Sequence, residues 1–199
     1  MLTIDLDPAV REVTRLLDGV TDDHLGLPTP CPDYTVGALL DHMMSLTAAF
    51  ASAARKSAPD ADGGAESPPG EATAAHLDPE WRTVLPRRLA ELAEAWRDPA
   101  AWEGVTEAGG LTMPAQVMGT VALDELVLHG WDLARATNQS FSCDPLSAEV
   151  VLAFTSATAE PGRQSSRDGL FGPVVEVPED ASAFDRALGF AGRDPAWKP

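Results

Sequence analysis

Cysteine is scarce in this chain: two residues among 199, Cys31 and Cys143, with no C-x-x-C spacing. That excludes a disulfide-stapled scaffold and a multi-cysteine zinc ribbon, and both side chains read as thiols of a reducing compartment. Cationic residues are also few, 14 Lys+Arg against 31 Asp+Glu, leaving a formal charge of −17. Phosphate-neutralising contacts dominate nucleic-acid affinity, and this field opposes them, so neither nucleic acid nor an anionic membrane surface is an expected partner. No uninterrupted apolar run reaches the roughly 18 residues that suggest a membrane span. The first ten residues carry Asp5 and Asp7 where a signal peptide has a basic and then an apolar region, so the expected location is cytoplasmic. Several catalytic signatures are missing: a G-x-S-x-G elbow, H-E-x-x-H, a P-loop, G-x-G-x-x-G and paired Glu-x-x-His motifs. Serine hydrolase, zincin, NTPase, dinucleotide and di-iron readings therefore lack their usual markers.

What the chain does have is helical periodicity without an internal repeat. Asp7-Pro8, Asp78-Pro79 and Asp144-Pro145 each read as a helix start, with the Asp as N-cap and the Pro at a first position that needs no N–H. Val10, Val13, Leu16, Leu17 and Val20 follow the first, and Trp81, Leu85, Leu89, Leu92 and Trp96 follow the second, all at helical spacing. Pro86 is expected to kink the second run or to mark its true beginning. Thr35 is the expected N-cap of a helix running to about Arg55, its buried stripe formed by Val36, Leu39, Leu40, Met43, Leu46, Thr47 and Phe50. A fourth long helix is expected from Pro114 to Thr137, closed by Asn138 in the left-handed conformation. Ser57–Glu71 is small, polar and rich in Pro and Gly, which predicts a mobile loop. Glycines between Trp102 and Thr112 suggest a short hairpin. A fifth helix carries Leu146, Val150, Val151 and Phe154, and a short last one, with Asp180 as its expected cap, carries Phe184 and Leu188. The expected fold class is all-α: an up-and-down four-helix bundle with additional C-terminal helices, one domain over 1–199 with its core at 5–140 and an extension at 141–199.

Glu125 and His129 lie four apart in the strongest helical pattern, so their Cβ atoms sit about 5–6 Å apart on one face. His42 falls at inward positions of another helix, three after Leu39 and four before Leu46, where bundles build their metal sites. Taken alone, an inward His is more often a hydrogen-bonded core residue, and a lone Glu more often a solvated charge. Together the three would leave one position open on a zinc ion, the mark of a catalytic site. Asp132, three past His129, can accept the second ring N–H of a metal-bound imidazole, or else pair with Arg135 or a surface Arg. Cys31 lies just ahead of a helix N-terminus that would favour a thiolate, but the prolines on either side favour a rigid structural turn.

The surrounding text narrows these alternatives. Thr29-Pro-Cys-Pro-Asp-Tyr-Thr35, Leu39-Leu40-Asp41-His42, the run Asp124 to Ala136, and the ending Phe171-Gly172-Pro173 through Gly192-Arg193-Asp194-Pro195 resemble the DinB-like, mycothiol-dependent maleylpyruvate isomerase superfamily, in its uncharacterised actinobacterial branch. The resemblance implies a helical bundle whose metal is held by one His of the second helix and two ligands four apart on the fourth, which here are His42, Glu125 and His129. It further implies one divalent metal ion, zinc first and nickel second, and a low-molecular-weight thiol such as mycothiol as cosubstrate. The expected partners are thus a small-molecule thiol and a small electrophile, in a transferase or isomerase reaction, with a homodimer allowed. Arg135, Arg163 and Arg167 are the candidates for holding a substrate carboxylate. The rival expectations are a bundle that binds metal or a small ligand without catalysis, and a dimeric interaction module.

Overall fold

The computed structural model describes residues 4–57, 72–160, 167 and 170–199. The stretch expected as a mobile loop lies outside the described residues except for Ser57, as does Arg163. Among the described residues the helical patterns give α1 (Asp7–Leu17), α2 (Val36–Arg55), α3 (Trp81–Arg97), α4 (Ala115–Ala136), α5 (Pro145–Thr158) and α6 (Ala183–Phe190). One hairpin, β1 (Val105–Ala108) and β2 (Leu111–Pro114), interrupts the helices. Two positive-φ glycines, Gly109 and Gly110, close it, as a two-residue hairpin turn requires.

Helix starts follow side-chain chemistry, though not always at the expected residue. Thr35 accepts from the Ala38 N–H at 3.4 Å and Asp144 from the Ser147 N–H at 3.1 Å, so both cap as expected. Asp7 is instead helical itself: Asp5 takes its N–H at 3.0 Å, and its carboxylate is left for Arg97. Asp78 accepts from the Glu80 N–H in a turn ahead of α3, and Pro86 lies inside that helix rather than at its beginning. Ser182, not Asp180, caps α6, because its hydroxyl accepts from the Asp185 N–H at 3.0 Å. Asn138 does take a positive φ just past α4.

Helices α1 to α4 form a ring in which α1 and α2 each touch both α3 and α4. Contacts along the helices give their directions. Arg88 donates to the Met44 carbonyl and Trp96 to that of Phe50, so α2 and α3 advance together. Arg97 meets Asp7, which opposes α3 to α1; Val13 lies against Gly130 and Leu16 bonds Gln139, so α1 and α4 run together. The order is therefore up, down, down, up. A 20-residue helix such as α2 is about 30 Å long, so parallel neighbours need a returning connection, and the segment 56–80 joins them.

Leu39, Leu40, Leu85, Leu89, Leu123 and Leu133 are fully buried at the centre. By length and composition α2 is apolar enough to cross a membrane, but 67% of that window is buried inside the fold. On α4 every residue from Leu126 to Ala134 is buried, since α1, α2 and α5 all pack on it. A helix covered all round can hold polar groups only where they are paired. That condition selects the residues described next.

Candidate metal centre

Because α2 and α4 pack side by side, His42 on one faces Glu125 and His129 on the other. The three side chains offer ligand atoms that all lie within 4.8 Å of one another. Glu125 Oε2 is 3.1 Å from His129 Nε2 and 3.6 Å from His42 Nε2, and the two imidazoles stand perpendicular with centroids 5.0 Å apart. Oε2 is buried and has no hydrogen-bond partner.

Both outer ring nitrogens are occupied by protein. His129 Nδ1 is 3.0 Å from Asp132 Oδ2, and His42 Nδ1 is 3.4 Å from the Tyr34 hydroxyl, whose ring stacks on the imidazole at 4.8 Å. The Nε2 atoms are thereby left facing Glu125. Asp132 is fully buried and is also gripped by Arg193, whose Nη2 donates to Oδ2 at 3.1 Å and Nε to Oδ1 at 3.5 Å. Asp132 thus orients His129 and forms an ion pair, but its arginine is neither Arg135 nor a surface one.

The electrostatics favour a cation. Burial opposes ionisation of Glu125, but the His129 and His42 rings outweigh it and hold the carboxylate well below its usual range. Burial likewise opposes charge on Asp132, which Arg193 and His129 keep low. Burial would lower His129, yet Asp132 and Glu125 lift it to about 9. With burial pushing the neighbouring Asp124 well up, Glu125 and Asp132 against Arg193 leave a single negative charge, which a proton on His129 balances and a divalent ion would turn into a single positive one. Around tetrahedral zinc, N and O ligands lie about 3.4 Å apart, close to the Glu125 spacings. The donor set and the orphaned Oε2 fit a divalent ion.

Of the other expected residues, Cys31 is buried in a turn whose carbonyls at Cys31 and Tyr34 accept from the Thr29 hydroxyl, each at 2.9 Å. Burial pushes its thiol up to about 11, which works against a thiolate there and fits the reading of a structural turn. Arg135 lies over the Trp131 ring and donates to the Trp197 carbonyl. Arg167 donates one Nη2 bond to Gly172 and keeps a buried, unpartnered Nη1. Sequence reasoning gave no role to Tyr34 and Arg193. Their signal was faint: Tyr34 belongs to the turn ahead of α2, and Arg193 follows a glycine just past a short helix.

With this geometry in place, the chain can be set beside known proteins. The sequence profile described as the mycothiol maleylpyruvate isomerase N-terminal domain matches residues 6–134. Two uncharacterised proteins of Mycobacterium tuberculosis, MT0763 of strain CDC 1551 / Oshkosh and Rv0738 of strain ATCC 25618 / H37Rv, are each 29% identical over 184 residues, covering 89% of this chain and 90% of theirs. The crystal structure of a histidine-to-alanine variant of mycothiol-dependent maleylpyruvate isomerase has a similar fold, with a TM-score of 0.60 at 15% identity over 97% of this chain and 79% of the other.

Proposed function

Since the chain belongs to the mycothiol maleylpyruvate isomerase N-terminal domain family, we propose that it is a metal-dependent enzyme that uses a low-molecular-weight thiol of the mycothiol type to transfer sulfur to, or isomerise, a small electrophile. The observation that carries this reading is the convergence of His42, Glu125 and His129 within 4.8 Å, with both outer ring nitrogens already taken by Tyr34 and Asp132. Three protein ligands leave a fourth position for an exogenous group. A bound zinc ion, or nickel as the alternative, supplies the Lewis acidity that keeps a coordinated thiol ionised at neutral pH.

The chain's own residues do the remaining work. Asp132 accepts a hydrogen bond from His129 Nδ1–H and so turns Nε2 inward, while the Tyr34 hydroxyl, which can accept or donate, engages Nδ1 of His42 and turns its Nε2 the same way. Met43, Leu46, Phe50, Leu92, Ala122 and Leu126 wall a crevice of ≈ 10 Å³ beside Glu125, room for about one water, so this flank of the carboxylate stays apolar. Arg135 and Arg167 are the partners offered to a substrate carboxylate, because each keeps a buried guanidinium nitrogen, Nε and Nη1 respectively, with no acceptor of its own. In reversible addition, a lone pair of the thiolate sulfur forms the C–S bond while the π pair of the electrophile's double bond moves onto its activating group, leaving a single bond. Bond rotation and reversal then return the thiol unchanged.

The test is calorimetric titration of metal-stripped, untagged protein with zinc and nickel, beside His129→Ala. One tight equivalent in the wild type that disappears in the variant supports the centre and opens a screen of thiol and electrophile pairs. A wild type that takes up neither metal overturns it.

A further inference from the structure

Arg193 lies beyond the 6–134 segment that the family profile matches, yet its side chain ends inside the bundle. It follows α6 by a turn of defined geometry. Gly192 takes φ 79°, its N–H donates to the Gly189 carbonyl at 3.1 Å, and the Arg193 N–H donates to the Leu188 carbonyl at 2.8 Å. This is the paired bonding that closes helices through a left-handed glycine. The turn sends the guanidinium inward, where only 6% of the residue stays exposed. Nη1 donates to the Ala191 carbonyl at 2.9 Å, which fixes the plane of the group, and Nε and Nη2 take the two oxygens of Asp132.

A carboxylate held at both oxygens cannot rotate away from a third partner. Asp132 Oδ2 therefore remains an acceptor for His129 Nδ1, and the ring keeps the orientation that turns Nε2 toward Glu125, protonated in the metal-free protein and free to ligate when an ion takes the proton's place. Burial and this pairing oppose each other on Arg193: burial alone would lower its pKa, but Asp132 raises it, so the guanidinium stays charged. We propose that Arg193 is a positioning residue for the metal centre, acting through Asp132 on His129, so that the segment after α6 sets the centre's affinity from outside the four-helix ring. The proposal rests on the metal-centre reading above.

Zinc titration of four metal-stripped proteins tests it: wild type, Arg193→Gln, Asp132→Asn and the double variant. Outer partners of metal-bound imidazoles are worth about 10–100-fold in affinity. Each single variant is expected to bind one equivalent that much more weakly, and the double variant no more weakly than Asp132→Asn, because the two residues act as one unit. A purely structural Arg193 would instead multiply the two losses, and that result, or wild-type affinity in Arg193→Gln, overturns the proposal. Should Arg193→Gln fail to fold, Arg193→Lys keeps the buried charge without the two-pronged grip. It is expected to fold and bind between the wild type and Asp132→Asn, and unchanged affinity in it overturns the proposal. No uptake by the wild type would overturn the metal-centre reading itself, which the other outcomes leave standing.

Discussion

At the residue scale, burial also acts on the two cysteines, raising the pKa of both thiols. The Cys31 thiol ionises at about 11 in the fold against its ordinary 9.0, burial being the main cause. Below pH 9 both folded and unfolded chains hold that proton; above it the unfolded chain loses the proton first, so stability falls as pH rises. The loss attached to Cys31 is about 2–3 kcal/mol between pH 9 and 11. Urea unfolding across that range is expected to show a flatter decline in Cys31→Ala than in the wild type. An equal slope in both would mean that the thiol is not shielded as described. The spacing of Glu125 and His129 made their shared helix face legible, since four residues is about one helical turn, but their reading as ligands came from the family resemblance. His42 was legible only as an inward position, because which helices meet is a tertiary matter. Tyr34 and Arg193 were not legible as site residues, since a turn and a chain end gave no periodicity to place them.

At the element scale, the turn after α6 depends on a residue without a side chain. An added Cβ at Gly192 would lie 2.8 Å from the Gly172 carbonyl carbon, on a backbone already at φ 79°. Gly192→Ala is therefore expected to destabilise the fold by about 1–3 kcal/mol and to weaken zinc binding along with it, because Arg193 is the next residue. Denaturant unfolding and the same titration would check both effects. Helix extents were largely readable, with α2 and α4 found where Thr35 and Pro114 predicted them. Caps were less readable: an Asp-Pro pair states that a helix begins nearby, but competing acceptors such as Asp5 decide whether the Asp caps or enters the first turn. The hairpin was legible in its glycines. Its attachment was not, since the Thr106 hydroxyl reaches the Ala53 carbonyl at 2.6 Å across 53 positions of sequence.

At the scale of the whole molecule, the division into a core at 5–140 and an extension at 141–199 can be tested by cutting the chain after residue 140. The cut would expose the face of α4 that α5 covers and leave Asp132 buried without its cation. Removing one partner of a buried ion pair costs about 3–5 kcal/mol, a large part of what a small domain has. The truncated chain is expected to show a low or broadened melting transition by circular dichroism; a cooperative, wild-type transition would make the extension a true appendage. The up, down, down, up order carries one more consequence. Parallel neighbours α2 and α3 bring two negative helix ends to the same pole of the bundle, where their dipoles repel rather than cancel. That pole is where Arg55, Lys56 and Arg97 stand, three of the 14 cations in an acidic chain. Each can offset a helix terminus by about 0.3–1 kcal/mol, so three of the chain's cations stand where its topology leaves two like poles together.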